Sequence, residues 1–170
     1  RSGREPEDVQ LPAAPPETVE RLRVLTYNVH NCAGMDGFVS PHRIARVIER
    51  EEPDIIALQE IDVARERSDY RDQAELLAAY LGMHYHFHPA MELAEGKYGN
   101  AILSKFPLRL RHGAALPYRR HWLVDESRGA MWVEVEIGGG MRVQLFNTHF
   151  GLGRIEKELQ AAALLGEEWL

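Results

Sequence analysis

The run Asp54-Ile55-Ile56-Ala57-Leu58-Gln59 constrains the fold more than any other stretch. It holds no polar residue between its two ends, so a strand made from it has no face suited to water. Such a strand needs cover on both sides. Residues 145–150 contain a second long apolar stretch with the same requirement. Upstream, Leu22, Val24 and Leu25 mark a first strand over residues 21–28. Ser40-Pro41 then reads as a helix start, serine as the N-cap and proline in the first turn. Ile44, Val47 and Ile48 keep helical spacing, and Pro53 stops the helix before the apolar strand. Strand, helix and strand in that order form a βαβ unit with its strands in one sheet. The fold class is α/β.

Residues 31–39 carry Gly34 and Gly37 and read as a loop. A second helix is expected over residues 72–81, with Leu76, Leu77, Tyr80 and Leu81 inward and Gly82 as its stop. Strands follow at 83–90, 101–104 and 109–114. Residues 131–137 and 141–150 form a hairpin across Gly138-Gly139-Gly140, and an amphipathic helix over 155–169 closes the chain. Residues 1–20, with four prolines and five acids, lack apolar periodicity and are expected to be a disordered tail or linker. Residues 21–170 are left as one domain.

A net charge of −6 argues against a generic nucleic-acid-binding surface, though not against a local basic site. The single cysteine, Cys32, cannot form an internal disulfide. No apolar run approaches the roughly 18 residues that span a bilayer. The compartment is left open.

Polar residues end several apolar runs: Asn28, Glu60, Asn100 and His149. Open α/β sheets build their sites at such strand ends. Glu60 follows the most apolar run, where a carboxylate is costly unless it is paired or binds a cation. Magnesium suits one carboxylate with water and substrate phosphate; an arginine partner, Arg65 or Arg67, is the alternative. Asn28 serves either a metal-bound water or phosphate, or an Asx-turn. His149 is either an acid–base group or a structural strand histidine. Asn100 follows Gly99, which would let backbone approach a ligand, or it is a turn residue. Tyr98 either lines the same cleft or packs. Arg128 precedes the strand at 131–137 and has the geometry for bidentate phosphate recognition; Arg119 and Arg120 read as a solvated loop. His84, His86 and His88 alternate on one strand face about 6.6 Å apart. That spacing does not readily bring three ring nitrogens within about 2.1 Å of one zinc. Met83, Tyr85 and Phe87 would form the core face, leaving the histidines on the polar face.

Four motifs, Thr26-Tyr27-Asn28, Leu58-Gln59-Glu60, Tyr98-Gly99-Asn100-Ala101-Ile102-Leu103-Ser104 and Asn147-Thr148-His149-Phe150, resemble in order and wording the endonuclease/exonuclease/phosphatase superfamily. The resemblance runs from about residue 21 to the end and is closest to bacterial metal-dependent hydrolases. It implies a two-sheet α/β sandwich, of which this chain is expected to supply the first sheet and its helices as an apparently truncated N-terminal part. It implies metal-dependent phosphoester hydrolysis with Mg2+, or Mn2+ in its place. Glu60 and Asn28 fall in the metal role, His149, Asn28 and Asn100 in the catalytic role, and Arg128 and Asn100 in the phosphate-binding role. Later Gly-Asp-x-Asn and Asp-His motifs of the family do not occur in this chain, which alone is then expected to be inactive or very slow. The competing class is a non-catalytic binding or assembly module. Substrates left open are nucleic acid, phospholipid or a small phosphate. If the second sheet is lacking, one sheet face is bare, and the chain should self-associate or hold a separate second-half chain.

Overall fold

A computed structural model describes residues 19–118 and 127–169. Residues 1–18 of the expected tail, and Arg119 and Arg120, lie outside the described residues. Among the described residues seven strands and three α-helices follow in chain order. They are β1 (Val24–Asn28), α1 (Pro41–Arg50), β2 (Ile55–Val63), α2 (Gln73–Leu81), β3 (His84–Leu93), β4 (Gly96–Ser104), β5 (Leu108–Ala115), β6 (Gly129–Gly138), β7 (Met141–Thr148) and α3 (Arg154–Leu164). The expected βαβ unit is present: β1 and β2 are parallel, Val24 opposite Ile55 and Asn28 opposite Gln59.

The strands form two sheets, β1-β2-β4-β3 and β5-β6-β7. This corrects the expectation that the chain supplies only the first sheet. The later strands do not extend the first sheet; they stack against it. Ile55 and Ile102 from the first sheet meet Met131, Val133 and Val135 from the second. Ile56 and Leu58, alternating with Ile55 on β2, face α1 and α2 through Ala45, Ile48, Ala74 and Leu77. That double cover is why β2 reads as an unbroken apolar run. A third cluster of Leu116, Ala130 and Trp169, with Ala163 and Leu164, closes the second sheet on the α3 side. The argument for self-association from a bare face therefore loses its premise.

Local chemistry sets the helix ends. Ser40 Oγ accepts from the Arg43 N–H and Asp72 Oδ1 from the Glu75 N–H, while Gly82 ends α2 at φ 62°. The last helix is shorter than expected. It stops at Leu164, and the chain turns at Gly166 so that Trp169 buries against the second sheet, its ring 4.6 Å from that of His112.

The strand histidines are also placed differently. Phe87 packs on the helix side, as expected of the core face. His86 and His88 pair with Ile102 and Asn100 on β4, whose side chains face the second sheet. The histidine face is thus covered by β5 and half-buried, with the His88 ring lying against Gly113. Burial pushes both imidazoles below their ordinary pKa, with neighbouring His86 and His112 adding to the effect on His88.

A pH dependence follows. The unfolded chain protonates these histidines near pH 6.5, and the folded chain only at lower pH. Their contribution is complete above about pH 6.5 and is lost as pH falls through the lower folded values. Chemical denaturation from pH 7.5 to 5 should show this loss, and a variant with both His86 and His88 replaced by Asn should show it less.

Candidate active site

The site begins with a break in β2. Its register against β4 shifts between Leu58 and Ile61, and Glu60 within the break has φ 62°. A bulge adds a residue to one strand and re-aims the side chain there. A left-handed glutamate is uncommon, and such conformations concentrate at functional positions. The bulge aims Glu60 at the end of β1, where Asn28 Nδ2 donates to Glu60 Oε1 at 2.8 Å. Asn28 Oδ1 in turn accepts from the His30 N–H at 3.0 Å. His149, just past β7, places Nδ1 3.5 Å from Glu60 Oε1. Two side chains from distant motifs, Asn28 and His149, therefore meet on one carboxylate.

Both arginine alternatives for Glu60 are engaged elsewhere. Arg65 pairs with Glu95 at 2.7 Å, and Arg67 forks onto Asp62 at 2.6 and 2.7 Å. Asn100, buried on β4, donates to the Gly129 carbonyl at 3.1 Å, and Thr148 Oγ1 donates to the same oxygen at 3.1 Å. Arg128 is buried immediately before that glycine. The structure thus joins Asn28, Glu60 and His149 directly, and gathers Asn100, Arg128 and Thr148 around Gly129. Gly99 does not open room for a ligand. A Cβ there would run into the His88 carbonyl and the backbone of Pro89 and Ala90 on β3, where β3 has its own bulge.

Several residues that position the site are assigned no role by the sequence, although Asn147 lies within one of the motifs. Asn147, buried on β7, crosses between the sheets: its Nδ2 donates to the carbonyls of Leu58 and Ala101, each at 2.9 Å. Its Oδ1 accepts from Gln59 Nε2 at 2.8 Å. Gln73, buried at the start of α2, accepts from the Asp62 N–H and donates to the Asn31 carbonyl. It ties the far end of the bulge to the left-handed turn His30-Asn31-Cys32, whose φ values are 48°, 46° and 58°. Cys32 is no nucleophile: burial, helped by the Asp62 charge, pushes its thiol up to about 12.

A strand-end carboxylate, Glu60, is thus held beside an amide and an imidazole at the ends of parallel and antiparallel strands of an α/β fold. The model of the endonuclease/exonuclease/phosphatase family matches residues 25–167, and the chain belongs to that family. Its fold is similar to an endonuclease/exonuclease/phosphatase from Beutenbergia cavernae (TM-score 0.65, 23% identity, 85% of this chain and 43% of that one). It is also similar to family proteins from Leptotrichia buccalis (0.62, 17%, 86% and 64%) and Bacteroides thetaiotaomicron (0.63, 18%, 85% and 56%). The chain therefore spans 43% to 64% of the length of these structures. No curated protein matches it. Members of the family are generally hydrolytic phosphoesterases.

Asn147→Ala takes a donor from the buried carbonyls of Leu58 and Ala101, while Gln59 Nε2 keeps Thr26 and Ala57 as partners. The substitution should lower stability by about 2–4 kcal/mol, given about 1–3 kcal/mol for each unsatisfied partner and some relaxation. Gly99→Ala should cost about 1–3 kcal/mol through overpacking against β3. Urea midpoints of the two variants measure both.

Proposed function

We propose that this chain carries the metal-binding half of a Mg2+-dependent phosphoester hydrolase site, with Mn2+ as a substitute. The observation that carries the reading is Glu60, set at a strained bulge among Asn28 and His149 while both nearby arginines pair elsewhere. The donor set fits magnesium, which takes one or two carboxylates and keeps several waters. It does not fit a metal needing a protein cage: among the described residues no group of three or more His, Cys, Asp or Glu side chains could hold an ion. Zinc on the strand histidines is not part of this reading.

Glu60 would hold the cation, and Asn28 fixes the carboxylate through its Nδ2 donation. As arranged, Asn28 acts on the metal chiefly through Glu60, because its own oxygen receives the His30 N–H. Bound Mg2+ would offset charge on the phosphate oxygens. Arg128 and Asn100 position that phosphate, and His149 holds or moves a proton beside it. The substrate is a phosphoester. The set is completed by groups outside this chain, carried by the rest of a longer protein or by a second chain. Among the described residues the edge strands are β1 and β3 in the first sheet and β5 and β7 in the second. Among the described residues no helix is long and apolar enough to cross a membrane.

Glu60→Gln should abolish or greatly weaken Mg2+ binding by calorimetric titration; equal affinity in the variant would sink the assignment. In a protein carrying the complete domain, His149→Ala should lower kcat roughly 10²–10⁴-fold with little change in KM. An unchanged kcat would return His149 to a structural role.

A further inference from the structure

Arg67 stands out among the groups that the proposed reaction does not use. It follows β2 by four residues, on the segment that leaves the Glu60 bulge. Its Nε and Nη2 form a planar fork on Asp62 at 2.6 and 2.7 Å. The two partners are exposed very unequally: the Asp62 side chain is 0% exposed and that of Arg67 45%. Here the buried carboxylate grips one edge of the guanidinium and leaves the other open. The fork uses Nε and one hydrogen of Nη2. Both hydrogens of Nη1 and the second of Nη2 are left for another acceptor.

Tyr98 shows which wall the guanidinium lies against. The Arg67 guanidinium lies over the Tyr98 ring, 5.5 Å from its centre. Tyr98 and Asn100 stand two residues apart on β4 and so project from the same face. Asn100 reaches across to Gly129 on the second sheet, so this is the face that carries the candidate site. Glu60 and Arg67 also feel each other's charge. Asp62 and Tyr98 therefore hold the Arg67 guanidinium against the β2–β4 wall that carries Glu60.

We infer that Arg67 binds a second anionic group of the substrate, a phosphate next to the one held at Glu60. The site is then built for a substrate with adjacent phosphates, such as a polyphosphate or a phosphodiester chain, rather than for an isolated monoester. This rests on the reading of the Glu60 centre as a phosphate site. Planar bidentate fixation explains arginine here, since lysine offers a point charge without a fixed open edge.

The test is calorimetric titration of the chain with inorganic phosphate and with inorganic pyrophosphate, Mg2+ being in excess over both. The wild type should bind pyrophosphate about tenfold to a hundredfold more tightly than phosphate, the worth of a charge-assisted contact. Arg67→Lys should lose most of that advantage while phosphate affinity stays within about twofold. The double variant Asp62→Asn with Arg67→Gln removes both charges together, leaves no buried unpaired carboxylate, and should behave likewise. Circular dichroism checks the fold of each. A pyrophosphate advantage that survives in Arg67→Lys, or that is absent from the wild type while phosphate still binds, overturns the inference and leaves the Glu60 reading standing. Phosphate affinity that is absent, or indifferent to Glu60→Gln, overturns the Glu60 reading and this inference with it.

Discussion

One side-chain amide connects everything the site depends on. Asn147 reaches from the second sheet into the first and satisfies two backbone carbonyls, one on β2 and one on β4, while receiving a hydrogen bond from Gln59. A buried amide that lost these partners would be costly, so the stacking of the sheets is fixed in register as well as in area. Apolar contact alone, Ile55 and Ile102 on Met131 and Val133, resists sliding weakly because it is non-directional. The amide adds direction. It acts next to Glu60 on one strand and two residues before His149 on another, so a shift of the sheets would separate the carboxylate from the imidazole.

Strain is concentrated on the same end of the molecule. Glu60 and the turn His30-Asn31-Cys32 are left-handed without glycine. Gln73 ties the two regions together from the start of α2. The energy that maintains these conformations comes from the surrounding cores, where Ile48, Ile56, Leu58 and Leu77 are fully buried. Packing and site geometry are separate in sequence and coupled in space.

The elements were legible because periodicity and punctuation agree locally: Ser40-Pro41, Pro53, Asp72, Gly82 and the Gly138–Gly140 turn each mark an end that the structure contains. Layering was less legible. The half-buried alternation of β5 and β7 does not say which sheet a strand joins, and the second sheet was missed for that reason. The histidine face misled in the same way, since polarity on a strand suggests solvent until another sheet is laid over it. At the site, the strand-end residues announced themselves by chemical type. Their supports did not. Asn147 was visible only as a member of a motif, without its role, and Gln73 and Asp62 look like ordinary polar residues until the fold gives them partners 42 and 5 residues away.

The position of Cys32 gives the molecule its own reporter. It is the one thiol in the sequence, buried under the left-handed turn that follows Asn28, with its ionisation pushed up to about 12. A thiol reagent reacts with thiolate and needs access, and the closed turn denies both. Labelling would therefore proceed only through local opening of the β1–α1 connection. Its rate is a clock for how often the Asn28 end of the site comes apart, readable without substrate, metal or a catalytic assay.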